Sequence, residues 1–184
     1  MPIVATDAGG EYEQVSQGLH QAVCVDVIDM GMMDSTFGKP KHKIRIAWET
    51  DEMHSEEGMP LTVSKIYTLS LNEKANLTKD LESWFGKRLT DEARKKGVDI
   101  EKCIGLPCQI NVVQGEKYAT VSAIMPAAKG QGLKPSGHYV RVQDREDEPQ
   151  RQAPKPTHKP FGGAKTAQEA FNEIVAANDD EIPF

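Results

Sequence analysis

The sequence predicts a mainly β domain of five strands with a helical insert between the third and fourth, followed by a flexible acidic C-terminal tail. Three observations lead there. Apolar alternation with a period of two recurs in three segments before the insert and two after it. A helical pattern with start and stop signals separates the two groups. Beyond Pro126 the chain turns to Pro, Gly, Gln and charge, which cannot bury enough surface to offset the entropy of ordering.

The elements follow in order. A polar N-terminal extension, residues 1–14, precedes the domain, residues 15–126. "HQAVCVDVIDMG" is β-branched and apolar, with Val23, Val25 and Val27 on one parity. "KHKIRIAWE" alternates: Lys41, Lys43 and Arg45 take one face, Ile44, Ile46 and Trp48 the other. "PLTVSKIYTLSL" is the third strand, with Val63, Lys65 and Tyr67 on one parity. Ser70 and Glu73 have capping-box spacing, and the helix after them stops at Gly86 with Leu77, Leu81 and Trp84 on one face. A short helix follows Thr90 and ends at Gly97. "PCQINVVQGEKYATVSAIM" reads as two strands joined at Gly115. Three strands, a helix and two strands is the order of an OB-fold, a five-stranded Greek-key barrel. An SH3-like barrel has no capped helix of this length at that place.

Composition narrows the function. The chain of 184 residues is 27% charged and 38% hydrophobic, and has no apolar run near the roughly 18 residues of a membrane span. Its polar, acidic start lacks the basic and apolar regions of a signal peptide, so a cytoplasmic location is expected, with no membrane partner. Cys24, Cys103 and Cys108 are an odd set with no ligands nearby to complete a zinc site, so buried thiols are expected. No phosphate-binding loop, zinc motif or nucleophile elbow is present. Acid pairs such as Asp26 with Asp29, or Glu56 with Glu57, lack the rest of a metal-dependent nuclease site. No enzyme activity, cofactor or metal is therefore expected.

A net charge of −6 argues at first against a nucleic-acid partner, but its distribution matters more. "TFGKPKHKIRIAW" carries Lys39, Lys41, Lys43 and Arg45 with no acid. OB-folds commonly bind oligonucleotides across strands two and three, and single strands need cations for phosphates and flat rings for bases. The expected nucleic-acid-binding residues are Phe37, Lys39, Lys41, Lys43, Arg45, Lys65, Tyr67 and Tyr118, with Trp48 included if a bulge turns it out of the core. The competing reading is a solvated strand face. Tyr12 and Tyr139 fall outside the barrel.

Residues 127–165 read as a flexible linker, in which "HYVRV" can add a strand. Residues 166–184 hold a short amphipathic helix, with Phe171, Ile174, Val175 and Asn178 on one face, and then Asp179, Asp180, Glu181, Ile182, Pro183 and Phe184. This ending resembles the tip of bacterial single-stranded-DNA-binding proteins, a run of acids followed by Ile-Pro-Phe. That likeness implies a docking peptide for replication, recombination and repair enzymes, with Phe184 filling an apolar pocket and the acids meeting a basic rim. The body departs from the bacterial pattern, since its first strand follows about eighteen polar residues. Through "YTLSLNEKANLTKDLESWFGKRLTDEA" and "GLPCQINVV" it looks more like the divergent single-stranded-DNA-binding proteins of bacteriophages. The resemblance implies a protein that coats single-stranded DNA with little sequence preference in the host cytoplasm, and leaves a homo-oligomer possible. The alternative is a protein-interaction adaptor, or a decoy for host docking sites, with weak DNA binding.

Overall fold

The computed structural model describes residues 13–35, 38–55 and 57–145. It contains one antiparallel sheet of β1 (Gly18–Ser35), β2 (Gly38–Met53), β3 (Pro60–Thr68), β4 (Pro107–Gln114) and β5 (Ala119–Pro126). Helices α1 (Asn76–Phe85) and α2 (Asp91–Lys96) and a 3-10 turn at Ile100–Cys103 separate β3 from β4. The strands lie in the order β3-β2-β1-β4-β5. The edge strands β3 and β5 approach each other and α1 packs on both, but no hydrogen-bonded ladder joins them, so the sheet is open. Among the described residues no helix is long and apolar enough to cross a membrane.

The first two strands run well beyond their apolar cores and form a long hairpin, in which Met33 pairs with Lys41 and Ser35 with Gly38. Three register shifts bend this ribbon. The shift between Cys24 and Asp26 leaves Val25 as an extra residue. Val23, Val25 and Val27 therefore do not share a face: Val27 packs on the main core, while Val23 and Val25 lie on the other side of the sheet with Ala47.

The main core lies between the inner face of the sheet and α1. Trp48 and Trp84 are fully enclosed, with ring centroids 6.4 Å apart. Trp84 stacks on Phe85 at 5.5 Å and donates its indole N–H to the Pro107 carbonyl at 3.0 Å. Cys24, Cys103 and Cys108 are free and buried here, and burial pushes all three thiols up. Gly86 ends α1 in the left-handed conformation, at φ 66°, which favours glycine. Thr90 caps α2 by accepting the Ala93 N–H at 3.2 Å.

The start of α1 differs from the capping-box expectation. Its N-cap is Ala75, with no side-chain bond. Ser70 instead accepts the Asn72 N–H at 3.3 Å, and Asn72 accepts the Lys74 N–H at 3.0 Å. These local turns use up the polar side chains before the helix begins, and Glu73 pairs with Arg94 at 3.1 Å.

β3 carries a second correction. Tyr67 pairs with Ile44 and Lys65 with Ile46, so both share the inner face. Asp80 of α1 receives the Lys65 ammonium and the Tyr67 hydroxyl on one oxygen, each at 2.7 Å. The triad ties α1 to β3. Asp80→Ala should lower stability in urea unfolding by about 2–3 kcal/mol, because hydrogen bonds to charged groups contribute roughly 1.5–3 kcal/mol each and the lysine is left half-buried. Tyr67→Phe, which keeps the ion pair, should cost about 1 kcal/mol. Equal stability of Asp80→Ala and the native chain would show that the triad is not formed.

Candidate nucleic-acid interface

The face opposite the core is built by register. On β2 the side chains of Lys43, Arg45, Ala47 and Glu49 alternate with the buried Ile44, Ile46 and Trp48. Opposite them on β3 stand Thr68, Ile66, Ser64 and Thr62. On the β1 side Ile28 pairs with Arg45, Gly31 with Lys43 and Met33 with Lys41.

This face has a covered half and an open half. The covered half holds two carboxylates, Asp26 at 1% and Glu49 at 2% exposure. A buried charge is costly unless paired and hydrogen-bonded, and the segment after β5 supplies the partners. Asp26 accepts the Tyr139 hydroxyl at 3.2 Å, the Arg141 Nε at 3.2 Å and the Val142 N–H at 2.9 Å. Glu49 accepts the Ser136 N–H at 2.9 Å and its hydroxyl at 2.7 Å. Leu133 and Tyr139 cover Val23, Val25 and Ala47. Within the stretch from Ala127, taken from its composition as linker, Leu133 to Arg145 thus lie on the sheet as a strap. Its few apolar side chains suffice because two buried acids hold it.

The open half carries the cations. Lys39 and Lys41 are exposed, and Lys43 and Arg45 half-buried. Lys43 donates to the Asp34 carbonyl at 3.4 Å. No acidic side chain among the described residues forms a salt bridge with any of the four. Residues 13–145 hold equal numbers of acids and bases, so the net charge of −6 comes from the flanking sequence. Ile66 stands beside Arg45 with 51% of its surface exposed. Nearby, burial raises the Asp29 carboxyl, but hydrogen bonds from His42 at 2.6 Å and the Gly31 N–H at 2.7 Å outweigh it and hold it below its ordinary value.

The expected site residues divide accordingly. Lys41, Lys43 and Arg45 form one row along β2, and Lys39 lies beyond its end, past a register shift at Lys39–Pro40. Lys65 and Tyr67 point inward to Asp80 and leave that row. Trp48 is core, because the register shift opposite it puts its extra residue, Val25, on β1 and leaves the alternation of β2 from Ile44 to Trp48 unbroken. Tyr118 is 75% exposed in the β4–β5 turn. That turn lies by register near the start of β1, at the end opposite the β1–β2 hairpin. Phe37 lies outside the described residues, as do residues 166–184 with the tip from Asp179 to Phe184. Among the described residues the aromatic side chain on the outer face is Tyr139, whose sequence signal was its place in "HYVRV".

Two surface clefts lie elsewhere. One of about 520 Å³ runs between the β3–α1 turn and α2, where Arg94 meets Glu73, Asp91 and Glu82. The other, of about 410 Å³, is lined by Lys79, Lys87 and Arg88 among others. Among the described residues no cluster of His, Cys, Asp and Glu is arranged to hold a metal.

Burial, then the Asp26 charge, push the Tyr139 phenol up to about 12. The docked strap holds the neutral phenol. Its contribution to stability is therefore present below the ordinary value near 10 and is lost as pH rises through about 12. The phenolate absorbance missing from Tyr139→Phe should accordingly rise near pH 12; a rise near 10 would place this phenol in free solvent. Arg141→Ala leaves Asp26 without its cation and should cost about 3 kcal/mol. Hydrogen exchange at the Val142 amide should quicken in that variant, and unchanged exchange would contradict the anchoring.

No protein-family model matches the chain, and no curated protein matches it.

Proposed function

We propose that this chain binds single-stranded DNA with little sequence preference, on an OB-type body, across the open half of the outer face. The observation that carries the reading is the row of Lys41, Lys43 and Arg45, with Lys39 beyond its end, none of the four having an acidic partner among the described residues. Unpaired cations on a strand cost no ion pair to recruit, and each releases counterions when a phosphate meets it. Two features support the OB-type reading. The order β3-β2-β1-β4-β5, with β3 and β5 approaching each other, is the order that a Greek-key barrel opened along one seam would have. The helix lies between β3 and β4 in the chain.

On this reading the phosphates track β2. The bases lie over Ile66 and Ile28, where contact is apolar and sequence-tolerant. The protein acts stoichiometrically, coating strands and keeping hairpins open. The sequence Asp179–Phe184 recruits replication, recombination or repair enzymes, in the manner its likeness to the bacterial tip implies. A phage-encoded protein in the host cytoplasm fits this scheme.

Binding of labelled oligo-dT should weaken with salt. Replacing Lys41 and Lys43 by Ala should lower the log–log slope by about 0.7 per lost contact. A salt-independent isotherm, or an unchanged slope in the double variant, would remove the assignment. Deleting the last six residues should leave DNA affinity equal or modestly higher and abolish capture of partner enzymes. Absence of any oligo-dT binding together with intact capture would favour the adaptor reading.

A further inference from the structure

The strap raises a question that the cation row does not answer. Single-strand binding draws much of its affinity from base stacking, yet Tyr67 and Trp48 are inside the core. The described part of the open face has cations and no ring of its own. Tyr139 packs on the cluster of Val23, Val25 and Ala47, and the next outer-face neighbour of Ala47 along β2 is Arg45, about 6.8 Å away. The ring is held from below by Val23, Val25 and Ala47 and at its tip by Asp26. Above it lies the Arg145 guanidinium, 5.7 Å from the ring centroid. Arg145 Nε donates to the Val140 carbonyl at 3.2 Å, which keeps the side chain folded back over the ring. No acidic side chain among the described residues pairs with Arg145 or with Arg45.

We infer that Tyr139, Arg145 and Arg45 form a composite nucleotide subsite, in which an unpaired base replaces the Arg145 guanidinium over the Tyr139 ring. The displaced guanidinium and Arg45 then hold the flanking phosphates. The inference rests on the single-strand reading above and extends it to a segment outside the five strands. Magnitudes favour the exchange. A base stacked on a ring is worth roughly 5- to 150-fold in affinity, and an exposed cation over the same ring about 2- to 5-fold. The released cation is not lost, because the phosphate next to the stacked base takes it. The ring pays little ordering entropy on binding, being fixed already by Asp26 and the apolar cluster. A ring mounted on a strap in this way needs a base that can leave its stack, which selects single strands over duplex.

The test uses the full chain and oligo-dT, with some thymines replaced by a photoreactive uracil. Ultraviolet cross-linking followed by peptide mass mapping should place the adduct on Tyr139. Arg145→Ala should lower the log–log salt slope by about 0.7. Tyr139→Phe, which keeps the ring, should bind within about twofold of the native chain, and Tyr139→Leu should bind about 5- to 100-fold more weakly. If Tyr139→Leu does not fold, the cross-link and the Arg145→Ala slope decide. Adducts elsewhere, with Tyr139→Leu and Arg145→Ala binding like the native chain, would overturn the subsite. In that case a weakened Lys41/Lys43 double variant would leave the single-strand reading standing, and failure of all the variants to alter binding would overturn both.

Discussion

The outer face of the sheet is organised by the Asp26 carboxylate. An extra residue at Val25 turns Asp26 away from the core, yet it is 99% enclosed. A carboxylate in that position must be paired, or it would take up a proton or unfold its surroundings. Its partners are a hydroxyl, a guanidinium and a backbone N–H contributed within four residues of the strap, Tyr139 to Val142. Glu49 repeats the arrangement through Ser136. These two acids decide which half of the face is covered, and so leave the four cations of β2 as the open half. Without the strap the same acids would stand beside the cations and repel phosphate.

The inner face follows a parallel rule. Lys65 and Tyr67 look like binding residues in the sequence because they are polar and alternate. Their ladder partners Ile46 and Ile44 put them inside, where one oxygen of Asp80 satisfies both. The cost of enclosing a lysine is met by an ion pair and by the Tyr67 ring 5.2 Å from its ammonium. The helix is thereby tied to an edge strand that makes no ladder with β5. The same polar chemistry thus works on both sides of the sheet, a carboxylate fixing a non-strand element to strands.

Much of this was legible in the residues. The alternation in "KHKIRIAW" located both faces of β2, since Lys41, Lys43 and Arg45 share one parity and Ile44, Ile46 and Trp48 the other. The stops at Gly86 and Gly97 and the Thr90 cap were readable because each rests on local backbone chemistry. Apart from the Ser70–Glu73 cap, which local turns replaced, what failed was non-local. Alternation fixes which β3 residues share a face, but not which face turns inward; that comes from the pairing of Tyr67 with Ile44. The apolar majority Leu61, Val63 and Tyr67 on that parity was a usable signal. The split of the three valines required knowledge of a bulge. The strap was hidden because its anchors are polar: a buried acid more than a hundred residues away along the chain, Asp26, holds Tyr139 and Arg141, and composition alone registers only a shortage of apolar side chains.

Amide hydrogen exchange with and without saturating oligo-dT tests the central claim most directly, because it maps the bound strand without any substitution. The account predicts new protection along Lys41–Arg45 of β2, around Ile66 of β3 and across Tyr139–Arg145 of the strap, with α1 and the cleft beside Lys87 and Arg88 unchanged. Protection confined to that helical cleft, or to none of the described residues, would contradict it.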